Sequence, residues 1–201
     1  MAQININGQT LASESGGTLT APALNITSGT LASGVTLASG VTFPTGLILQ
    51  TVIGSSTTNS SGNGDVTACT KSITMSSSSN KLLVFGVLNY QISGGSRQER
   101  FGGVKMTTSG TGVTAETFNP SVNDTTGPRG IRMQFASSSS SYKVAGFAPI
   151  NHLFSPAIAG SVTVTLFGEG YDSDYGAMEV NVTTGTAPNG KSTLMLMEMV
   201  A

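Results

Sequence analysis

Residues Thr30–Gly46 read TLASGVTLASGVTFPTG and repeat every six positions. Successive side chains of an extended chain point to opposite faces, so residues at odd positions share one face. Every large apolar residue of this segment is at an odd position, while the other face carries Thr, Ala and Gly. The repeat therefore predicts a β shaft over residues 30–46, with an apolar strip formed by Leu31, Val35, Leu37, Val41, Phe43 and Leu47.

This strip cannot be buried by the segment alone. A β solenoid needs about three full repeats to bury a core, and the segment is long enough for a single coil. An isolated extended segment is no more stable. The simplest cover is the same segment from identical chains around a symmetry axis. We therefore predict a short, intertwined trimeric β shaft and a homotrimer, with one alternative, in which the strip lies as one strand on the C-terminal domain of its own chain.

Residues 1–29 precede the shaft and are polar and rich in Gly. Their apolar residues are too few and too widely spaced for a core: Leu11, Leu19, Leu24 and Ile26. We interpret the segment as an extended N-terminal docking arm that becomes ordered on a larger particle, with a mobile tail as the alternative.

Residues 47–201 change in texture to longer apolar runs separated by Ser- and Gly-rich loops such as Ser55–Asp65. No window shows helical periodicity, and the apolar runs have the length of strands. Eight or nine short strands predict an all-β jelly-roll β-sandwich as the head domain. The candidate strands are 47–53, 66–74, 81–92, 101–107, 130–136, 142–151, 162–171, 177–182 and 192–200.

Two of these runs, LLVFGVL at Leu82–Leu88 and LMLMEMV at Leu194–Val200, are apolar at nearly every position. A strand with one face in water should alternate between apolar and polar residues. We therefore expect both faces to be covered, the second by a neighbouring subunit, and methionine adapts well to such a contact. The residues predicted for this interface between subunits and core are Leu194, Met195, Leu196, Met197 and Met199, with plain core filling as the alternative.

Composition excludes several classes of protein. Charged residues make up 9% of the chain with a net charge of -1, whereas nucleic-acid binding requires a basic face. No apolar run reaches the roughly 18 residues of a membrane span, so no membrane insertion is expected. The first ten residues lack the features of a secretory signal, which indicates synthesis in a cytoplasm. Cys69 is the only cysteine, so no intrachain disulfide can form.

Candidate chemical sites are few. A Ser-His-Asp triad would have to use His152, the only histidine, and no G-x-S-x-G motif is present. We therefore predict no catalytic site, no cofactor and no metal. The best candidate ligand loop is EGYDSDYG, in which Tyr171 and Tyr175 can stack on a sugar ring while Asp172 accepts its hydroxyls. Asp172 and Asp174 sharing a Ca²⁺ ion and an ordinary polar loop are the alternatives.

Three segments together carry a resemblance to known proteins: Phe43–Val52, FPTGLILQTV; Thr70–Gln91, TKSITMSSSSNKLLVFGVLNYQ; and Ser192–Val200, STLMLMEMV. In this order, after the apolar repeat, they resemble a group of virion proteins from bacteriophages of marine and aquatic bacteria, including cyanophages. The resemblance implies a trimeric fibre or decoration protein with a short β shaft. It also implies a jelly-roll head similar to tumour-necrosis-factor and complement-type trimers.

The combined prediction is a non-enzymatic structural component of a tailed-phage virion. It would be a homotrimeric short fibre on the particle surface, anchored to capsid or tail proteins through residues 1–29. The head would then face a host-surface glycan. The alternative is a capsid decoration or cement protein that stabilises the shell.

Overall fold

The computed structural model describes the second half of the chain most fully. The described residues are 3–6, 9–15, 18–20, 44–96, 98–120, 123–124, 127–128, 131–134, 143–171, 174–182 and 190–201. The chain divides into two compact units, Met1–Thr42 and Phe43–Ala201. The predicted shaft residues Leu31, Val35, Leu37, Val41 and Phe43 lie outside the described residues, so the trimeric shaft stays a prediction.

The described part of the first unit is a small antiparallel sheet. Its strands are β1 (Gln3–Ile6), β2 (Gln9–Ser15) and β3 (Thr18–Thr20), paired in the order β1-β2-β3. The sequence predicts an extended arm here, whereas the antiparallel pairing shows that the chain turns back on itself twice. That this unit docks on a larger particle remains a prediction.

The second unit is built from strands in two main sheets. The six-stranded sheet contains β4 (Ile48–Ser56), β5 (Ser60–Gly62), β7 (Lys81–Ser93), β13 (Val144–Phe154), β15 (Ala177–Val180) and β16 (Ser192–Met199). The five-stranded sheet contains β6 (Gly64–Met75), β8 (Glu99–Ser109), β9 (Thr117–Phe118), β12 (Ile131–Gln134) and β14 (Gly160–Gly170). A two-stranded ladder joins β10 (Asn123–Asp124) to β11 (Gly127–Pro128).

The strand order of the two sheets is that of a jelly roll. The eight principal strands run β4-β16-β7-β13 in one sheet and β6-β14-β8-β12 in the other, and all of these neighbours pair antiparallel. The chain passes back and forth between the sheets, which is the double Greek-key connection of this architecture. The predicted all-β class and the jelly-roll β-sandwich are therefore confirmed.

The core lies between the two sheets and follows from period-two alternation in their strands. On β7 and β16 the even-numbered residues Leu82, Val84, Leu88, Leu194 and Leu196 are fully buried. From the other sheet, Ile73, Val162, Val164, Leu166 and Met106 pack against them. Leu194 and Leu196 thus belong to the core of a single chain, as the core-filling alternative expected, and not to its surface.

Candidate assembly face and distal loops

The outer face of the six-stranded sheet presents mainly hydrocarbon side chains, with Thr51, Asn151 and Thr193 as polar residues among them. Because directly paired residues share a face, the register places Ile53, Met195 and Phe85 in one row across three strands. A neighbouring row contains Met197, Leu83 and Leu153. We call this surface the apolar face and define it by Ile48, Ile53, Leu83, Phe85, Val87, Phe147, Pro149, Leu153, Met195, Met197 and Met199.

Exposed hydrocarbon is concentrated on the apolar face. The exposed large hydrophobic residues of the described chain all belong to the six-stranded sheet or directly precede it: Ile53 at 66%, Phe147 at 52%, Ile48 at 47%, Leu153 at 46%, Phe85 at 42% and Leu47 at 39%. The three methionines beside them are half-buried. Single exposed apolar residues are normal on a protein surface, but a contiguous patch marks an interaction site.

The outer face of the five-stranded sheet is chemically opposite. Thr70 lies 3.4 Å from Thr165 between their hydroxyl oxygens, and Ser72 lies 2.9 Å from Thr163. Thr107 and Ser109 continue the same two rows on the next strand. We call this surface, formed by Thr70, Ser72, Thr107, Ser109, Thr163 and Thr165, the hydroxyl face. Its hydroxyl groups can exchange hydrogen bonds with water, so it needs no protein cover.

An ionic cluster borders the hydroxyl face. The ammonium of Lys105 lies 2.5 Å from a carboxylate oxygen of Asp65 and 3.6 Å from one of Glu169. The side-chain amide of Asn119 donates to both oxygens of Glu169, at 3.0 and 2.9 Å. Burial raises the pKa of Glu169, and the nearby Lys105 and Asn119 offset this only in part. The contacts account for a structural ion pair at the sheet surface.

The chain enters the head just before β4. We call this the proximal end and define it by Leu47, Lys81 and Val200. The backbone amide of Gly46 donates to the carbonyl of Val200 at 2.8 Å, and the amide of Val200 donates to Leu47 at 2.9 Å. Leu47 is the one residue of the predicted strip that the structure describes, and it is exposed next to Ile48.

A buried carboxylate closes the core at this proximal end. Glu198 is fully buried and points inward, on the same side of β16 as Leu194 and Leu196. It accepts hydrogen bonds from the Ser76 amide and hydroxyl at 2.7 Å each, from Asn80 at 2.7 Å and from Gln50 at 2.6 Å. Burial alone would raise the pKa of Glu198, but these hydrogen bonds together lower it. Glu198 therefore fastens β16 to β4 and to the β6–β7 turn.

The predicted ligand loop lies at the opposite, distal end, beyond β14. The structure brings Tyr171 and Tyr175 together, with ring centroids 5.2 Å apart, and stacks Tyr175 on Phe101 at 4.6 Å. Asp174 is exposed nearby, whereas Asp172 lies outside the described residues. The structure thus describes three of the four predicted ligand residues, and glycan contact remains a proposal.

The loop that follows β7, at Gly95 and Ser96, is hydrogen-bonded to the predicted ligand loop. Ser96 donates from its amide to the carbonyl of Asp174 at 2.9 Å and from its hydroxyl to the Asp174 carboxylate at 3.1 Å. Gly95 has a φ of +81°, and a Cβ there would be 2.5 Å from the carbonyl oxygen of Asp174. Only glycine allows so close a contact between the two loops. The distal loops therefore form one hydrogen-bonded unit.

The remaining candidates for chemistry have structural surroundings. His152 stacks on Phe118, with centroids 4.0 Å apart, and meets the edge of Phe154 at 4.7 Å. In the part of the chain that the structure describes, no three His, Cys, Asp or Glu side chains are grouped as metal ligands. No helix among the described residues is long and apolar enough to cross a membrane.

Three prominent residues of the apolar face, Ile53, Phe85 and Leu153, are not among the interface residues predicted from the sequence. Phe85 had a readable signal, because it alternates with the inward residues Val84 and Gly86 inside LLVFGVL. Ile53 and Leu153 had no such signal, because the sequences of their strands do not show which face is covered. Of the predicted interface residues, Met195, Met197 and Met199 are on the apolar face.

Comparison with known proteins gave structural neighbours only. No family model matches the chain, and none of the curated proteins matches its sequence. A structure of infectious bursal disease virus strain Gt aligns with 85% of this chain and 43% of its own, at 13% identity and a TM-score of 0.37. The VP2 subviral particle of the same virus aligns with 76% of this chain and 38% of its own, at 15% identity and a TM-score of 0.35. This chain spans less than half the length of each, so its function has to be inferred from its own surfaces.

Proposed function

We propose that this protein is a non-enzymatic structural component of a tailed-phage virion, a homotrimeric short fibre displayed on the particle surface. One observation carries the proposal: the sandwich has one outer face of hydroxyl groups and one of hydrocarbon. A head that works alone in water would have two polar outer faces. The difference supports a subunit of an assembly, in which the apolar face is turned inward and the hydroxyl face outward.

The arrangement of the two ends supports display of the distal loops. The chain enters the head at the proximal end, beside Val200, and the loop with Tyr171 and Tyr175 is at the other end of the strands. If residues 1–29 anchor the protein to capsid or tail proteins, these tyrosines face away from the particle. Aromatic rings next to the exposed carboxylate of Asp174 suit a sugar ligand. We therefore propose a host-surface glycan as the external partner.

The surroundings of the titratable groups support a structural role. Glu198 has hydrogen bonds from three residues, and Glu169 is engaged by Asn119 and Lys105. The ring of His152 is stacked on Phe118 and meets the edge of Phe154. These groups hold the fold together, which favours a protein that binds and assembles.

Mass measurement of the purified full chain, combined with its copy number in the particle, tests this proposal. A fibre is expected to be a trimer present in a few to tens of copies, and hundreds of copies would favour the capsid decoration or cement protein. The isolated trimer should also block phage adsorption, and Tyr175→Ala should weaken that block without changing the mass. A monomer at all concentrations, or turnover of a glycan by the protein, would refute the proposal.

A further inference from the structure

We propose that a second copy of this chain covers the apolar face, with Ile53 and Phe85 as its principal contacts. The inference rests on the proposed homotrimer and names the surface that joins its subunits. It assigns the contact to the head, independently of the predicted shaft. Within the predicted set, Leu194 and Leu196 are buried in the core of one chain, and we assign the contact between subunits to the methionines.

The size of the apolar face fits a stable contact. Assigning about 200 Å² to each large side chain, the five exposed residues of the apolar face alone leave on the order of 500 Å² of hydrocarbon surface. The largest apolar patch on a typical monomer is about 300–600 Å², and here three half-buried methionines extend it. A standard interface buries about 800 Å² per partner, including a polar rim. The face therefore provides the apolar centre of one such interface.

The charge distribution favours a copy of the same chain over a different protein. Among the described residues, the strands of this sheet carry ionisable side chains on their outer side at Lys81 and Glu179, near opposite ends of β7, and Lys143 and Lys191 directly precede β13 and β16 at the distal end. Lys81 donates to Ser155 at 2.9 Å, and Glu179 accepts from Gln91 at 2.6 Å, so both are already engaged. The β4 edge and the β7–β16 surface of two copies can approach without like charges meeting, as in permanent homo-oligomers, whose interfaces resemble a core cut in half.

The distribution of residues across the sheet fits a closed ring. A ring contact is heterologous, so each subunit must offer two different apolar surfaces. The edge strand β4 presents Ile48 and Ile53, while Phe85 and Met195 lie inside the sheet on β7 and β16. We assign the β4 edge of one subunit to the β7–β16 surface of the next. The methionines there can adapt to the contact.

The test uses charge substitutions on the two outer faces of the full chain. Ile53→Glu and Phe85→Glu place a carboxylate on the apolar face, and Thr70→Glu is the matched control on the exposed edge strand of the hydroxyl face. Sedimentation over a range of concentrations gives the dissociation constant of the oligomer. We expect an increase of about 100-fold or more for the two apolar-face variants, typical of a central contact, and no change for the control.

Methionine oxidation provides a readout that needs no variant. In the oligomer Met195, Met197 and Met199 should resist oxidation, and on dilution to the monomer they should oxidise, whereas Met106 stays protected in both because it is buried in the core. A wild-type monomer would overturn both the proposed function and this inference. A wild-type trimer with oxidisable Met195–Met199, or one that Ile53→Glu and Phe85→Glu leave intact, would overturn the inference alone.

Discussion

Replacing Glu198 by alanine should weaken the head more than any substitution of a surface carboxylate. The carboxylate receives four hydrogen bonds, and two of them come from Asn80 and Gln50, which are buried and half-buried. Hydrogen bonds to a charged group contribute about 1.5–3 kcal/mol each. Two effects reduce the loss: the exposed Ser76 can form hydrogen bonds with water instead, and the variant no longer has to bury a carboxylate. We therefore expect a loss of about 3 kcal/mol in the free energy of unfolding.

This loss should depend on pH in a definite direction. The hydrogen bonds lower the pKa of Glu198 in the folded head below its ordinary value of 4.5. A lowered pKa contributes stability above the unfolded value, and this stability disappears as the pH falls through the folded pKa. The difference between wild type and Glu198→Ala should therefore be full at pH 7 and shrink below about pH 4.

Urea unfolding followed by circular dichroism, at one fixed protein concentration, measures this difference at pH 7 and pH 3. Asp65→Ala is the control, because the Asp65 side chain is 48% exposed and a surface ion pair contributes less than about 1 kcal/mol. A Glu198→Ala head as stable as the Asp65→Ala head at pH 7 would refute the assigned role. A difference that grows as the pH falls would refute the sign of the pKa shift.

Three further predictions follow from individual contacts. Glu169→Gln should stabilise the head slightly at pH 7. The pKa of Glu169 is raised in the folded head, so the wild type loses stability as the pH rises above the pKa of the unfolded chain. If the urea midpoints of wild type and variant are equal at pH 3 and the variant's midpoint is the lower one at pH 7, the prediction is contradicted. Gly95→Ala should speed hydrogen exchange in the distal loops, since its Cβ would meet the carbonyl of Asp174, and unchanged protection would contradict it. Leu196→Ala should cost about 2–5 kcal/mol in urea unfolding of the dissociated head, and Met197→Ala under about 1 kcal/mol; similar losses would show that the two faces of β16 are misassigned.

The jelly-roll class was predictable because its signals are local. The Ser- and Gly-rich loops mark where strands end, and the predicted strand at 192–200 matches β16 within one residue. Other boundaries shifted by a few residues, as for β13, which runs to Phe154 and not to Asn151. The strand order cannot be predicted from local signals in this way, because neighbouring strands such as β4 and β16 are the first and last strands of the domain in sequence.

The candidate site was predictable in part, for a reason visible in LMLMEMV. Alternation separates Met195 and Met197 from Leu194 and Leu196, but the sequence does not show which set faces the core. Glu198 had a signal that was not used: it shares the parity of the leucines, so if they are buried it must be buried too. Its partners Gln50 and Asn80 are distant in sequence and could be found only from the folded chain.

The pairing of β4 with β16 also determines how the head would respond to tension. β4 starts at the proximal end and runs toward the distal loops, and its ladder with β16 spans Ile48–Ser56. A pull on the chain before Pro44, resisted at the distal loops, is directed along this ladder. Its hydrogen bonds are then loaded together in shear and do not open one after another, so a head attached in this way would resist extraction by force far better than its equilibrium stability alone suggests.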